Sequence, residues 1–168
     1  DFSDSINDFD STITRDISLR DHLHEQLGVD VENLVDKMIG AYLIDLLDDS
    51  GWLPTNLDDV AAVLNCEIER VTSVLDVLQR FDPPGVFARD LGECMALQLR
   101  ELDRLDPVMQ LFLDNLEMLA AHDLNGIMKV CDVDADDLVQ MIAEIRELNP
   151  RPGSIFDNEV TQAVTPDI

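Results

Sequence analysis

Phe81-Asp82-Pro83-Pro84-Gly85-Val86-Phe87-Ala88-Arg89-Asp90-Leu91-Gly92-Glu93-Cys94 breaks a helical pattern and then restarts it. Pro83 and Pro84 fix their own φ and remove two backbone donors, and each proline pushes its predecessor out of the α region. Gly85 frees the next turn. A helix that precedes this stretch must stop near Phe81, and a new one is expected from about Ala88. The segment predicts a Pro-Pro-Gly hinge between two helical units.

On the N-terminal side, Ser18 followed by Asp21 is a capping signal for a short helix over Leu19 to Leu27, closed by Gly28, and Asp30 can cap the next. Leu34, Val35, Met38, Ile39, Tyr42, Leu46 and Leu47 recur at amphipathic helical spacing, up to Asp48-Asp49-Ser50-Gly51. Asn56 is a good N-cap for Leu57 to Leu64, and a helix from about Glu67 to Arg80 completes a helix-turn-helix-like pair. On the C-terminal side the spacing predicts a helix from Ala88 to Asp103 and another with Pro107 in its first turn behind Asp106. A second short-long pair follows, Leu124 to Cys131 and Asp134 to Leu148, before Asn149-Pro150-Arg151-Pro152-Gly153 ends the helical part. Ser154 to Ile168 is expected to run extended.

A shift of 67 positions without a gap superposes the two pairs, Leu57 on Leu124, Leu78 on Ile145 and Pro83 on Pro150 among others. Amphipathic helices share such matches by chance, so duplication of an ancestral unit is a hypothesis at this point. The predicted fold is all-α, with two small helical-bundle subdomains at 17–82 and 83–150. Residues 1–16 form an acidic flexible lead-in, and 151–168 a tail toward a missing C-terminal region.

Composition narrows the function classes. With 46% hydrophobic residues the chain can bury a core, and 36 acidic against 11 basic residues give a formal charge of -25. That field repels polyanions and favours a basic partner. No apolar run approaches the ~20 residues that span a bilayer, and the start lacks a signal-peptide pattern, so the chain reads as cytosolic, with no membrane partner. An initial residue other than methionine predicts an excerpt from a longer protein. Cys66, Cys94 and Cys131 are odd in number and far apart, in helical apolar patterns, which suits reduced buried thiols better than a disulfide or metal site.

DNA recognition by the helix-turn-helix pairs is disfavoured by charge. A recognition helix needs Lys or Arg for phosphates, whereas these helices open with Glu67 and Glu69, and with Asp134, Asp136 and Asp137. Such acids suit a helix N-terminus. Asp132-Val133-Asp134-Ala135-Asp136 mimics half a calcium loop, but Asp137 stands where the turn needs glycine and Ala143 where the bidentate Glu belongs. His22 and His24 do not share a helix face, and neither a zinc motif, a phosphate loop nor a nucleophile elbow occurs, so catalytic, cofactor and metal residues are expected to be none. Tyr42, Trp52, Phe81 and Phe112 read as core, with Trp52 plugging the bottom of the first subdomain.

Four ordered motifs then carry a resemblance: Ser18-Leu19-Arg20-Asp21-His22-Leu23 through Glu25-Gln26-Leu27; Tyr42-Leu43-Ile44-Asp45 with Asp48-Asp49-Ser50-Gly51-Trp52-Leu53; Pro83 to Cys94 with Leu97-Gln98-Leu99; and Leu148 to Gly153. Together they resemble the core-polymerase-binding region of the sigma-54 class of bacterial transcription initiation factors. Ser50 and Trp52 replace a more usual acid and tyrosine, and Phe87 sits where glycine is common. The resemblance implies a chain without enzymatic activity that binds bacterial core RNA polymerase, partly through the flap of the β subunit. It also implies that Asp1, Asp4, Asp8 and Asp10 belong to an acidic segment lying along the polymerase's DNA channel. Promoter DNA and the ATP-dependent activator would be met only through parts of the parent outside this stretch. Gly51, Trp52 and Leu53, with Gly85, Val86, Phe87 and Arg89, are the candidate partner contacts, on the premise that rigid or exposed apolar loop residues anchor an interface. Two other readings are an acidic helical regulator that mimics DNA or sequesters a basic protein, and a helix-turn-helix DNA-binding module.

Overall fold

The computed structural model describes residues 17–156, and across them the regular structure is entirely helical. Helix α1 (Leu19–Asp30) starts where Ser18 Oγ accepts from the Asp21 amide at 3.1 Å, and buries Leu19, Leu23 and Leu27 along one stripe. It does not stop at Gly28. Gly28 is not among the glycines at positive φ, so the left-handed stop is not made there, and the Val31 amide closes the helix on the Leu27 carbonyl. Helix α2 (Leu34–Asp45) is capped by Asn33 rather than Asp30, its side chain accepting from the Val35 and Asp36 amides. Gly40 lets α2 press on α1, because a Cβ there would stand 2.7 Å from Leu27 Cδ1.

Asn56 caps α3 (Leu57–Leu64), and Asn65 turns the chain in the left-handed region, φ 55°, into α4 (Ile68–Leu78). Helix α2 packs against both α1 and α4. Leu23, Leu43, Ile44, Leu75 and Leu78 lie at the centre of this core, each almost wholly buried. Each such side chain contributes roughly 1.5–3 kcal/mol by leaving water. The same cluster takes in Phe81, Val86 and Phe87, so its last members come from beyond residue 82.

The next helix, α5 (Leu91–Glu101), begins later than Ala88, because Phe87 has φ 68°, outside the right-handed helical region, and Asp90 provides the cap by accepting from the Glu93 amide. Asp106 and Pro107 open α6 (Pro107–Asp114) as the sequence predicts. At Asn115, whose side chain donates back to the Leu111 carbonyl, the chain breaks into the short α7 (Leu116–Ala120). Asp123 caps α8 (Leu124–Cys131), Asp132 makes a left-handed turn, and Asp134 caps α9 (Ala135–Arg146). Met95, Leu99, Phe112, Ile127, Leu138 and Ile145 build a second core from α5, α6, α8 and α9. Pro152–Phe156 form a 3-10 turn instead of the extended start expected from Ser154, because Gly153 and Ser154 hydrogen-bond to Ser50 and Arg151 carbonyls. The lead-in at 1–16 and the rest of the tail lie outside the described residues.

Among the described residues no helix is long and apolar enough to cross a membrane. Cys94 and Cys131 are buried free thiols, and burial pushes both up from the ordinary thiol range.

Candidate functional site

Three of the four motifs singled out in the sequence meet at one place. The loop at 48–53 is set first by local bonds: Asp48 Oδ1 accepts from the Ser50 and Trp52 amides, and Gly51, at φ 92°, supplies the positive φ this turn requires. The segment after the prolines then lies beside it. The Phe87 amide donates to the Gly51 carbonyl at 2.8 Å, and the Leu53 amide donates to the Ala88 carbonyl at 2.8 Å. From the far end of the chain, the Gly153 amide donates to the Ser50 carbonyl at 2.9 Å and Arg151 Nε to Ser50 Oγ at 2.9 Å. The indole of Trp52 donates to the Pro150 carbonyl at 3.0 Å.

These contacts revise the position of several candidate residues. Gly51, Leu53, Gly85, Val86 and Phe87 are buried, with Val86 and Phe87 at zero exposure, so the premise of exposed loop residues does not hold for them. Apolar loop residues of this kind gain more by entering a core than by waiting at a surface. Trp52 does not plug the base of the first bundle. It is half-buried against Ala88, Cys94 and Leu97, and its polar edge is tied to Pro150. The Pro-Pro-Gly stretch is likewise packed in place: Pro83 and Gly85 are buried, and Gln79 Nε2 donates to the Phe87 carbonyl at 3.1 Å.

Arg89 is the exposed member of the set. Its guanidinium grips Glu93 through two bonds, 2.9 and 2.7 Å, while its amide donates to the same carboxylate at 2.8 Å. Burial pushes the Glu93 carboxyl up, but the hydrogen bonds and charge of Arg89 outweigh it and hold that carboxyl below the usual carboxylate range. Arg89 also borders two grooves. One, of about 880 Å³, is lined by Glu93, Leu97, Arg100, Leu113 and Glu117 among others; the second, of about 480 Å³, by Pro54, Asn56, Ile68 and Thr72.

Gln98, which the sequence analysis quoted in a motif without giving it a role, completes the junction. Gln98 is a buried polar side chain on α5, donating to the Asn149 carbonyl and accepting from the Asn149 amide at 2.8 Å. A glutamine inside an apolar helix stripe is the signal that could have found it. The acids opening α9 satisfy that helix: Asp134 Oδ1 accepts from the Asp137 amide at 2.8 Å, and Asp136 and Asp137 occupy its first turn. Among the described residues no group of His, Cys, Asp and Glu is arranged to hold a metal ion.

Comparison with known proteins supplies the family. The description "Sigma-54 factor, core binding domain" matches residues 8–168. The chain is 49% identical over 156 residues to RNA polymerase sigma-54 factor 2 of Bradyrhizobium diazoefficiens, covering 93% of this chain and 29% of the relative. It is 47% identical over 161 residues to the RNA polymerase sigma-54 factor of Rhizobium meliloti, covering 96% and 31%, and 42% identical over 160 residues to that of Caulobacter vibrioides, covering 95% and 32%. The chain thus spans about a third of the length of these curated relatives. By the extent of these matches, the chain belongs to the sigma-54 factor core binding domain family.

Proposed function

We propose that this chain is the part of a sigma-54-type factor that docks onto bacterial core RNA polymerase in the cytoplasm, without chemistry of its own. The observation that carries this reading is the core binding domain match along 8–168. Charge supports it: a surface with formal charge -25 suits a basic polymerase face and is poorly suited to DNA phosphates. In this reading Trp52 and Arg89 touch the polymerase, partly at the β flap, while Gly51, Leu53, Gly85, Val86 and Phe87 hold them in position. Arg89 stands between two grooves, an exposed position from which it can reach a partner surface. Asp1, Asp4, Asp8 and Asp10 belong to an acidic segment directed along the DNA channel. The parent protein directs activator-dependent initiation at specific promoters, and meets promoter DNA and activator through its other parts.

The test is a titration of the fluorescently labelled 168-residue chain with purified core RNA polymerase over a series of salt concentrations, with duplex DNA alone as control. Saturable binding to polymerase that weakens as salt rises, and no binding to DNA, is the expected result. A folded chain that binds DNA but not polymerase would overturn the reading.

A further inference from the structure

The two bundles are assembled from the same parts in the same order. Ser18 caps α1 by accepting from the Asp21 amide, and 72 positions on Asp90 caps α5 by accepting from the Glu93 amide. At that same offset Leu23 and Leu27 correspond to Met95 and Leu99, all buried in their own bundles. The helix pairs repeat at an offset of 67. Asn65 at φ 55°, ψ 49° corresponds to Asp132 at φ 57°, ψ 50°, and the next amide in each case, Cys66 and Val133, donates five residues back, to Ala61 and Met128, at 3.1 Å. The difference between the offsets falls in the middle, where the first bundle has α2 and the second has α6 and α7.

The strongest correspondence is polar. Gln26 Nε2 donates to the Asp82 carbonyl at 2.6 Å and its Oε1 accepts from the Asp82 amide at 3.0 Å. Gln98, 72 positions on, does the same to Asn149, 67 positions on from Asp82. Asp82 and Asn149 each stand directly before a proline. Helical periodicity repeats apolar positions, but it does not demand a glutamine that clasps both backbone groups of the residue before a proline.

We infer that residues 18–86 and 90–153 are two copies of one unit, and that the second clasp has become the positioning device for the junction between them, with Gln98 as its residue. Gln26 is half-buried and serves its own bundle. Gln98 is buried and sits where the copies meet: a Cβ on Gly85 of the first copy would stand 2.9 Å from Gln98 Nε2 and 3.1 Å from Cys94 Sγ. By fixing Asn149, Gln98 aims the Pro150 carbonyl at the Trp52 indole and delivers the Gly153 amide to Ser50. This inference stands independently of the proposed partner.

Trp52 is the single tryptophan of the chain, so its fluorescence reports on the junction directly. Gln98→Met, which keeps the side-chain length and removes both hydrogen bonds to Asn149 together with the one to Cys94 Sγ, is compared with Gln98→Ala and with Gln26→Met, each checked for native helical content by circular dichroism. The expected result is a red-shifted Trp52 emission and greater acrylamide quenching in both Gln98 variants, with Gln26→Met lowering the unfolding midpoint while leaving the native emission unchanged. If Gln98→Ala does not fold, Gln98→Met decides. Folded Gln98→Met with wild-type emission and quenching, or Gln26→Met shifting the emission equally, overturns the inference.

Discussion

Replacing Gly153 by alanine distinguishes a docked C-terminal segment from one that merely follows the last helix. Gly153 lies outside the left-handed region, so backbone strain does not enter. What enters is space: the new Cβ would stand 2.6 Å from the Asp49 carbonyl oxygen and 3.0 Å from both Leu19 Cδ2 and the Ser50 carbonyl carbon. Two of these neighbours are backbone atoms and cannot swing aside. Overpacking of this kind costs about 1–3 kcal/mol. Displacement of the Gly153–Ser50 hydrogen bond adds about 1 kcal/mol. Against that, alanine reduces the entropy of the unfolded chain and returns only about 0.4–1 kcal/mol. The sign is therefore destabilising, by about 1–3 kcal/mol. Gly28→Ala is the matched control, since nothing lies within 4 Å of its ideal Cβ and it sits inside α1. There alanine is expected to stabilise by up to about 1 kcal/mol through helix propensity. Equilibrium urea unfolding of both variants measures the difference, provided the slopes match wild type. A Gly153→Ala protein as stable as wild type, or more so, would refute the docking of 149–153 onto the 48–53 loop.

Trp52→Phe removes the donor to the Pro150 carbonyl and should cost about 1 kcal/mol in urea unfolding, a loss that shrinks in a Gln98→Met background if the two act on one contact. Glu93, with its carboxyl held down by Arg89, contributes stability that is present above the ordinary glutamate value near ~4.3 and is lost as pH falls through its lower folded value. Glu93→Gln should accordingly flatten the acid limb of a stability–pH curve, while an unchanged limb would remove this carboxylate from the account. Phe87→Ala and Phe112→Ala, both at fully buried rings, should each cost about 3–5 kcal/mol. A further change to glycine should cost about 1 kcal/mol more at helical position 112 but little or nothing at 87, where φ is positive and glycine relieves the strain.

What the sequence showed and what it hid follow from the range of the interactions. Ser18, Asn56 and Asp106 were legible as caps because each satisfies an amide two or three residues away. The misread stop at Gly28 and the early start at Ala88 were decided elsewhere. Gly28 ends nothing because it does not take the left-handed conformation of a terminating glycine, and α5 waits for Asp90 because Phe87 is drawn into a core built by α1 to α4. Loops 51–53 and 85–88 were found, yet their burial was not, since what covers them is distant in sequence: Leu53, Val86 and Phe87 join the core of α1 to α4, Gly85 meets Cys94 and Gln98, and Gly51 meets Pro152 and Gly153. Trp52 meets its acceptor 98 positions away, a pairing that no local pattern carries. The repeat was half visible: an ungapped shift of 67 finds the helix pairs but misses α1 against α5, which correspond at 72.

The central claim, that this chain is the polymerase-docking part of its parent, is tested most directly by competition. Labelled chain bound to core RNA polymerase is challenged with an unlabelled full-length sigma-54 factor. Complete displacement, at a factor concentration set by the factor's own affinity, is the predicted result. Labelled chain and full-length factor residing together on one polymerase, or no complex to displace despite a folded chain, would contradict it.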